Sequence, residues 1–153
     1  MLQGIETLHF AHKMKVRDYE LDRFGVINNA VYQNYLEHTR SLFLETNGVS
    51  METLIKCGYS PIITKAEVEY SSSLKSGNDF VVNLELTSLS KIKFIFTQEI
   101  RSLPRNTLIL SAKITGTILN TSKQPCYPQS YQKLRSNLTT DKKTRTNSKI
   151  SIQ

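Results

Sequence analysis

Leu8, Phe10, His12, Met14 and Val16 occupy every second position early in the chain, with His9, Ala11, Lys13, Lys15 and Arg17 between them. That period of two predicts a strand with one buried face. The period then changes. Advancing about 100° per residue from Val31, Leu42, Tyr35, Tyr32, Phe43 and Leu36 fall within one arc of about 140°. Glu37, Ser41, Asn34, Glu45 and His38 lie opposite, which predicts a long, half-buried helix. Asn28 or Asn29 suits its N-cap, because an amide oxygen there accepts a free first-turn N–H, and Gly48 suits a left-handed stop. Met51, Leu54 and Ile55 predict a short second helical piece that Gly58 ends.

Alternation returns over Ile62, Thr64, Ala66, Val68 and Tyr70, then over Phe80, Val82, Leu84 and Leu86. It recurs over Ile92, Phe94, Phe96 and Ile100, and over Leu108, Leu110, Ala112, Ile114 and Ile118. Turn-forming residues at 71–73, 76–79, 88–90 and 104–106 separate these runs, so the last three strands read as an antiparallel meander. One strand, one helix and four strands, each with one apolar face, predict an α+β domain: an antiparallel sheet with a helix packed on it. Pro125 and Pro128 close the last strand. The expected domain is 1–135. Residues 136–153, poor in apolar side chains, read as a basic, disordered tail.

Composition narrows the chemistry. The chain has 153 residues, 39% hydrophobic and 22% charged, enough for one substantial core. No apolar run approaches the ~20 residues that span a bilayer. Met1–Phe10 has neither a basic leader nor an apolar core, so export is not expected and the cytoplasm is the expected compartment. Of the net charge of +7, Lys133, Arg135, Lys142, Lys143, Arg145 and Lys149 against Asp141 place +5 beyond residue 132. The basic character is a property of the tail, and no nucleic-acid or membrane partner is expected from it. Cys57 and Cys126 are isolated in sequence and predict neither a disulfide framework nor a metal site. A G-x-S-x-G nucleophile, a P-loop and a dinucleotide fingerprint are all absent from the sequence.

What remains is Asp22, followed by Gly25 and the paired Asn28 and Asn29 at the start of the long helix. A carboxylate beside unpaired helix amides pairs an acid or base with an anion cradle. An Asp there also has bland uses, as an Asx-turn residue or as a complement to the helix dipole.

The stretch D-x-x-G-V-x-N-N-A-x-Y-x-x-Y from Asp22, preceded by V-R-D-Y-E-L, resembles the 4-hydroxybenzoyl-CoA-thioesterase-like branch of hotdog-fold proteins, and within it the acyl-ACP and long-chain acyl-CoA thioesterases. The resemblance spans roughly residues 8–130 and is strongest over 16–40. It implies a hotdog fold, a five-stranded antiparallel sheet curled around one long central helix. It also implies an acyl-thioester hydrolase releasing a free acid, with Asp22 as general base or nucleophile and amides near Asn29 and Ala30 as oxyanion donors. Gly25 and Asn28 would shape that site. Tyr19 and Tyr32 could line a pantetheine or acyl channel, with core packing the plainer role for Tyr32, and Glu37 is a second carboxylate candidate. His9 and His12 show no acid partner in the sequence.

The implied substrate is an acyl-CoA or acyl carrier protein thioester, with no metal or other cofactor needed. The implied assembly is a homodimer or homotetramer with sheets joined edge to edge and the active site between subunits. The compartment becomes the plastid stroma if a transit peptide has been removed. Two alternatives stay open: an aryl-CoA thioesterase, such as a 1,4-dihydroxy-2-naphthoyl-CoA hydrolase, and a non-catalytic acyl-binding module. Ser73 and Asn78 depart from the family pattern, where Pro and Asp are usual, and bear on a turn rather than on the chemistry.

Overall fold

The computed structural model describes residues 8–136. Five strands form one antiparallel sheet in the order β1-β3-β4-β5-β2. They are β1 (Leu8–Lys15), β2 (Ser60–Tyr70), β3 (Asp79–Leu89), β4 (Phe94–Ser102) and β5 (Thr107–Leu119). The helix α1 (Asn29–Thr46) follows β1, and the short α2 (Met51–Lys56) leads into β2. The expected α+β architecture and the β3-β4-β5 meander are both present.

Helix α1 begins where its cap chemistry allows. The Asn28 Oδ1 accepts the Ala30 N–H at 3.0 Å, with Asn28 itself extended at φ −61° and ψ 136°. The helix stops at Asn47, and Gly48 turns the chain at φ +79°, a conformation that costs glycine little. The face that meets the sheet carries Tyr32, Tyr35, Leu36, Phe43 and Leu44. Phe80, Val82, Leu84, Leu86, Phe96 and Ile100 meet it from β3 and β4. Tyr35 packs on Phe80 with ring centroids 4.7 Å apart, and Phe43 meets Phe96 edge-on at 5.7 Å. Burying aromatic rings on this scale dominates core energetics.

Three expectations need correction. The strand read from Ile92 starts at Phe94; Ile92 is exposed in a turn closed by the Ser90 N–H on Lys93 O at 2.8 Å. The apolar face of β2 is largely open: Ile62 is 39%, Ile63 47% and Tyr70 48% exposed. A bulge explains part of this. Ile63 pairs with Gly116 and Lys65 with Thr115, so Thr64 is an extra residue and the alternation slips. Gly116 makes the close approach possible, since a Cβ on it would lie 2.5 Å from the Ile62 carbonyl oxygen. Thirdly, residues 129–136 are helical (α3), an element the periodicity did not predict, and they bury Tyr131 and Leu134 completely. Apart from Ser136, the tail expected over 136–153 lies outside the described residues. Among the described residues no helix is long and apolar enough to cross a membrane.

Candidate active site

Strand β1 delivers the chain to Val16, whose N–H donates to Asn78 O at 2.9 Å, and a 3-10 turn follows over Asp18–Glu20. Leu21 and Ile27 then bridge in antiparallel fashion and close a tight loop over residues 22–26. Its backbone is fastened by the Asp22 N–H on Val26 O at 2.8 Å and the Gly25 N–H on Asp22 O at 3.1 Å. Gly25 sits at φ +74°, which only a residue without a Cβ adopts cheaply.

The Asp22 carboxylate is part of this loop. Its Oδ1 accepts the Phe24 N–H at 2.8 Å and, more weakly, the Val26 N–H at 3.4 Å. The Asx-turn role is therefore real. It occupies one carboxylate oxygen, and among the described residues nothing donates to Oδ2.

Two further bonds bring the loop to the start of α1. The Asn28 N–H donates to Glu20 O at 3.2 Å, and the Ile27 N–H donates to Leu74 O at 3.2 Å. The β2–β3 connection is held on the other side: Val26 bridges Lys75, and the Ser76 hydroxyl donates to the Asp18 carboxylate. Asn78 closes that connection with its Oδ1 on the Lys75 N–H at 2.8 Å, so the departure at this position leaves the turn's acceptor in place.

The two amides expected to cradle an oxyanion are not equivalent. Ala30 N–H is taken by the Asn28 cap, and Val31 N–H donates to Asn28 O at 2.9 Å. Among the described residues only the Asn29 N–H of this first turn is left without a partner. Asn28 is thus the cap, and Asn29 is the position whose amide is available.

The remaining candidates separate clearly. Tyr32 is buried and its hydroxyl accepts the Leu74 N–H at 3.0 Å, so it is a core residue that ties the β2–β3 connection to α1. Tyr19 is 76% exposed, and its hydroxyl oxygen accepts a bond from Arg17 Nη1 at 2.6 Å. Glu37 lies two turns along α1, where it lines a cleft of about 130 Å³ with Arg40, Leu44, Ile62, Ile63 and Phe94. None of four clefts on the described surface is lined by Asp22. His9 does have an acid partner, contrary to expectation: its Nδ1 is 3.1 Å from Glu85 Oε1 on the neighbouring strand. The periodicity gave no sign of the polar bridge from Arg40 Nη1 to Gln98 Oε1 at 2.8 Å. It continues from Gln98 Nε2 to Leu36 O at 3.0 Å, and burial lowers the Arg40 pKa.

Comparison with known proteins places the chain in a family. Residues 16–145 match the family model described as the thioesterase-like superfamily. The chain is 39% identical over 123 residues to an Arabidopsis thaliana protein named acyl-acyl carrier protein thioesterase ATL3, chloroplastic; the match covers 80% of this chain and 64% of that one. A second plant relative is covered over 60%, so the chain spans less than two thirds of the length of these relatives. The Escherichia coli acyl-CoA thioester hydrolase YbgC is 26% identical over 110 residues, covering 72% of this chain and 81% of that one. Among solved structures, a 1,4-dihydroxy-2-naphthoyl-CoA thioesterase from Synechocystis superposes with a TM-score of 0.77 at 19% identity, covering 81% of this chain and 93% of that one. At that identity the likeness is one of fold: the five-stranded sheet and long helix form the hotdog fold.

Proposed function

The chain belongs to the thioesterase-like superfamily, and from that premise we propose that it hydrolyses acyl thioesters of acyl carrier protein or coenzyme A to the free acid. One observation carries the reading. Among the described residues, a loop that leaves Asp22 Oδ2 without a donor is bonded, through Glu20 O and the Asn28 N–H, to the turn whose Asn29 amide has no partner. In the proposed reaction the Asp22 carboxylate takes a proton from water as the water attacks the thioester carbon, or attacks that carbon itself. The Asn29 N–H donates to the carbonyl oxygen as it becomes an oxyanion. Collapse of the tetrahedral intermediate breaks the carbon–sulfur bond, and the thiolate leaves and takes up a proton; where Asp22 itself has attacked, water then hydrolyses the acyl–Asp22 anhydride, which releases the free acid and restores the carboxylate. These steps use the chain's own groups and call for no cofactor.

The exposed edge strand β2, with Ile62, Ile63 and Tyr70 open, supports a homodimer or homotetramer in which a second chain covers this edge. Asp22 lines none of four clefts on the described surface, and in such an assembly the acyl site would be completed between subunits. The same observation favours one competing reading, a non-catalytic acyl-binding module. The reading involves no nucleic acid and no membrane, and it sets the reaction in the cytoplasm, or in the plastid stroma if a transit peptide is removed.

One panel tests it: acyl-ACP, acyl-CoA and aryl-CoA thioesters of graded size, with free thiol as the readout and light scattering alongside. Turnover of the fatty acyl substrates is expected, from a species larger than a monomer. Preference for the aryl-CoA would transfer the activity to the aryl-CoA alternative. Absence of turnover on every thioester would leave the binding module.

A further inference from the structure

Strand β2 carries a core-side face that its own chain leaves partly uncovered. Residues paired across two strands share a face. Val68 and Tyr70 pair with Ala112 and Leu110, while Pro61 and Ile63 pair with Ile118 and Gly116, and all four partners on β5 are buried. These β2 positions therefore point to the core side of the sheet, yet Ile63 and Tyr70 stand open to solvent. The placement of α1 explains this. Its closest backbone approaches are to β3 and β1, so its other flank overhangs β2 with space beneath it.

The two ends of that space differ. At one end Tyr70 meets Tyr32 in the first turn of α1, with ring centroids 5.8 Å apart. Leu74, just beyond, donates its N–H to the Tyr32 hydroxyl and accepts the Ile27 N–H, so this end adjoins the Asp22 loop and the Asn29 amide. At the other end lies the cleft of about 130 Å³, with Leu44, Ile63 and Phe94 among its apolar walls and Tyr131 bringing α3 against it. Its polar members are accounted for: Arg40 is tied to Gln98 at 2.8 Å, and Glu37 and Ser41 are exposed at the rim. A second chain pairing along the free edge of β2 would take backbone groups there and leave this inner face to a ligand.

Size and distance say what fits. An apolar cavity of about 150 Å³ admits benzene, so the cleft takes several carbons rather than a whole long chain. The stretch of α1 from Asn29 to Glu37 rises about 12 Å. An extended hydrocarbon built from bonds of about 1.5 Å advances about 1.3 Å per carbon. A chain whose carbonyl sits at the Asn29 N–H thus reaches the cleft after about nine carbons.

We infer that this cleft receives the far end of a long acyl chain, and that Tyr131, arriving from α3, closes it and limits the chain length the protein accepts. The inference rests on the thioesterase reading and names the acyl class within it, long rather than short. The test uses the full chain with two substitutions. Ser41→Phe places a ring in the cleft from an exposed helix position, and Tyr131→Met replaces the closing ring by a slimmer, flexible side chain. Two ratios are read for sixteen-carbon over eight-carbon groups: kcat/KM on the acyl-CoA thioesters, and affinity for the alkyl-CoA thioethers, which are not hydrolysed. Melting temperature and light scattering accompany both.

In Ser41→Phe both ratios are expected to fall about tenfold or more, since a single methylene in an apolar pocket is already worth about tenfold. In Tyr131→Met the limit should move outward, so that octadecanoyl-CoA gains on hexadecanoyl-CoA. Parental ratios in a Ser41→Phe chain that melts like the parent overturn the inference; if that chain has also lost its assembly, the cleft belongs to a second copy. An unchanged limit in Tyr131→Met overturns the closing role of Tyr131. If the parent chain turns over no thioester, the hydrolase reading fails by itself, and the thioether ratio still decides what the cleft holds.

Discussion

At the scale of single residues, the site reduces to one carboxylate and one amide, and each can be removed separately. Asp22→Asn keeps an oxygen that can accept the Phe24 and Val26 amides, so the Asx turn and the loop should survive. What disappears is the negative charge that takes a proton from water or attacks the thioester. We expect kcat on a long-chain acyl-CoA to fall by about 10²-fold or more with melting and sizing unchanged; a variant that retains half the parental rate excludes Asp22 from the mechanism. A backbone donor is usually beyond the reach of mutagenesis, but Asn29 is an exception. It is the first residue of α1, where proline is well tolerated because that N–H has no helical partner. Asn28 already has the extended conformation that a following proline demands. Asn29→Pro should therefore fold like the parent, yet lose about 10² to 10³ in kcat through the missing oxyanion donor. Parental turnover in a well-folded Asn29→Pro chain would show that the donor lies elsewhere.

At the scale of elements, strand and helix positions were legible because each buries one face against the same core. The alternation along β3 and the helical arc over Tyr32, Tyr35, Leu36 and Phe43 report that burial directly. The cap was legible for a similar reason, since only short polar side chains such as those of Asn, Asp, Ser and Thr readily accept a first-turn amide. Strand β2 misled the pattern. Its alternating residues look inward-facing, but the Thr64 bulge breaks the period, and the strand stands at the sheet edge, where Tyr70 meets Tyr32 of α1 while Ile62 and Ile63 stay partly open. The bulge depends on a residue on another strand. Gly116 of β5 pairs with Ile63 and lets both the Ile62 carbonyl and the Phe94 ring come close. Gly116→Ala must push β2 and β5 apart as well as displace the Phe94 ring, because a Cβ there would lie 2.5 Å from the Ile62 carbonyl oxygen, which is backbone, and closer still to the ring. We expect a loss of about 1–3 kcal/mol, the usual cost of overpacking, read as a lower urea midpoint at constant slope. An unchanged midpoint would mean that β2 is already loosely held.

At the scale of the whole molecule, the sequence showed the composition of the C-terminal region but not where the fold ends. Pro125 and Pro128 follow the end of β5, as expected, and the domain was expected to run to residue 135, but with no helix in this stretch. Two side chains reveal the helix that closes it. Tyr131 packs against Phe94 at 6.3 Å and Leu134 is wholly buried, spaced three apart as one face of a helix requires. So short a pattern, with polar neighbours on every side, is too weak a periodic signal to separate from chance. The domain boundary can be located by truncation. Removing residues 137–153 takes away most of the tail's positive charge but neither buried side chain, and we expect melting temperature and kcat to stay at the parental values. Removing residues 129–153 uncovers Phe94 at the start of β4, and the lost Leu134 alone is worth about 2–5 kcal/mol if its cost matches that of truncating a buried leucine to alanine. That chain should melt many degrees lower, or fail to fold. Leu134→Ala in the full-length chain separates lost packing from lost chain length: it should reproduce much of the longer truncation's effect and leave KM for the thioester unchanged. If 137–153 proves as destabilising to remove as 129–153, the folded unit extends past residue 136 and the boundary drawn from composition is misplaced.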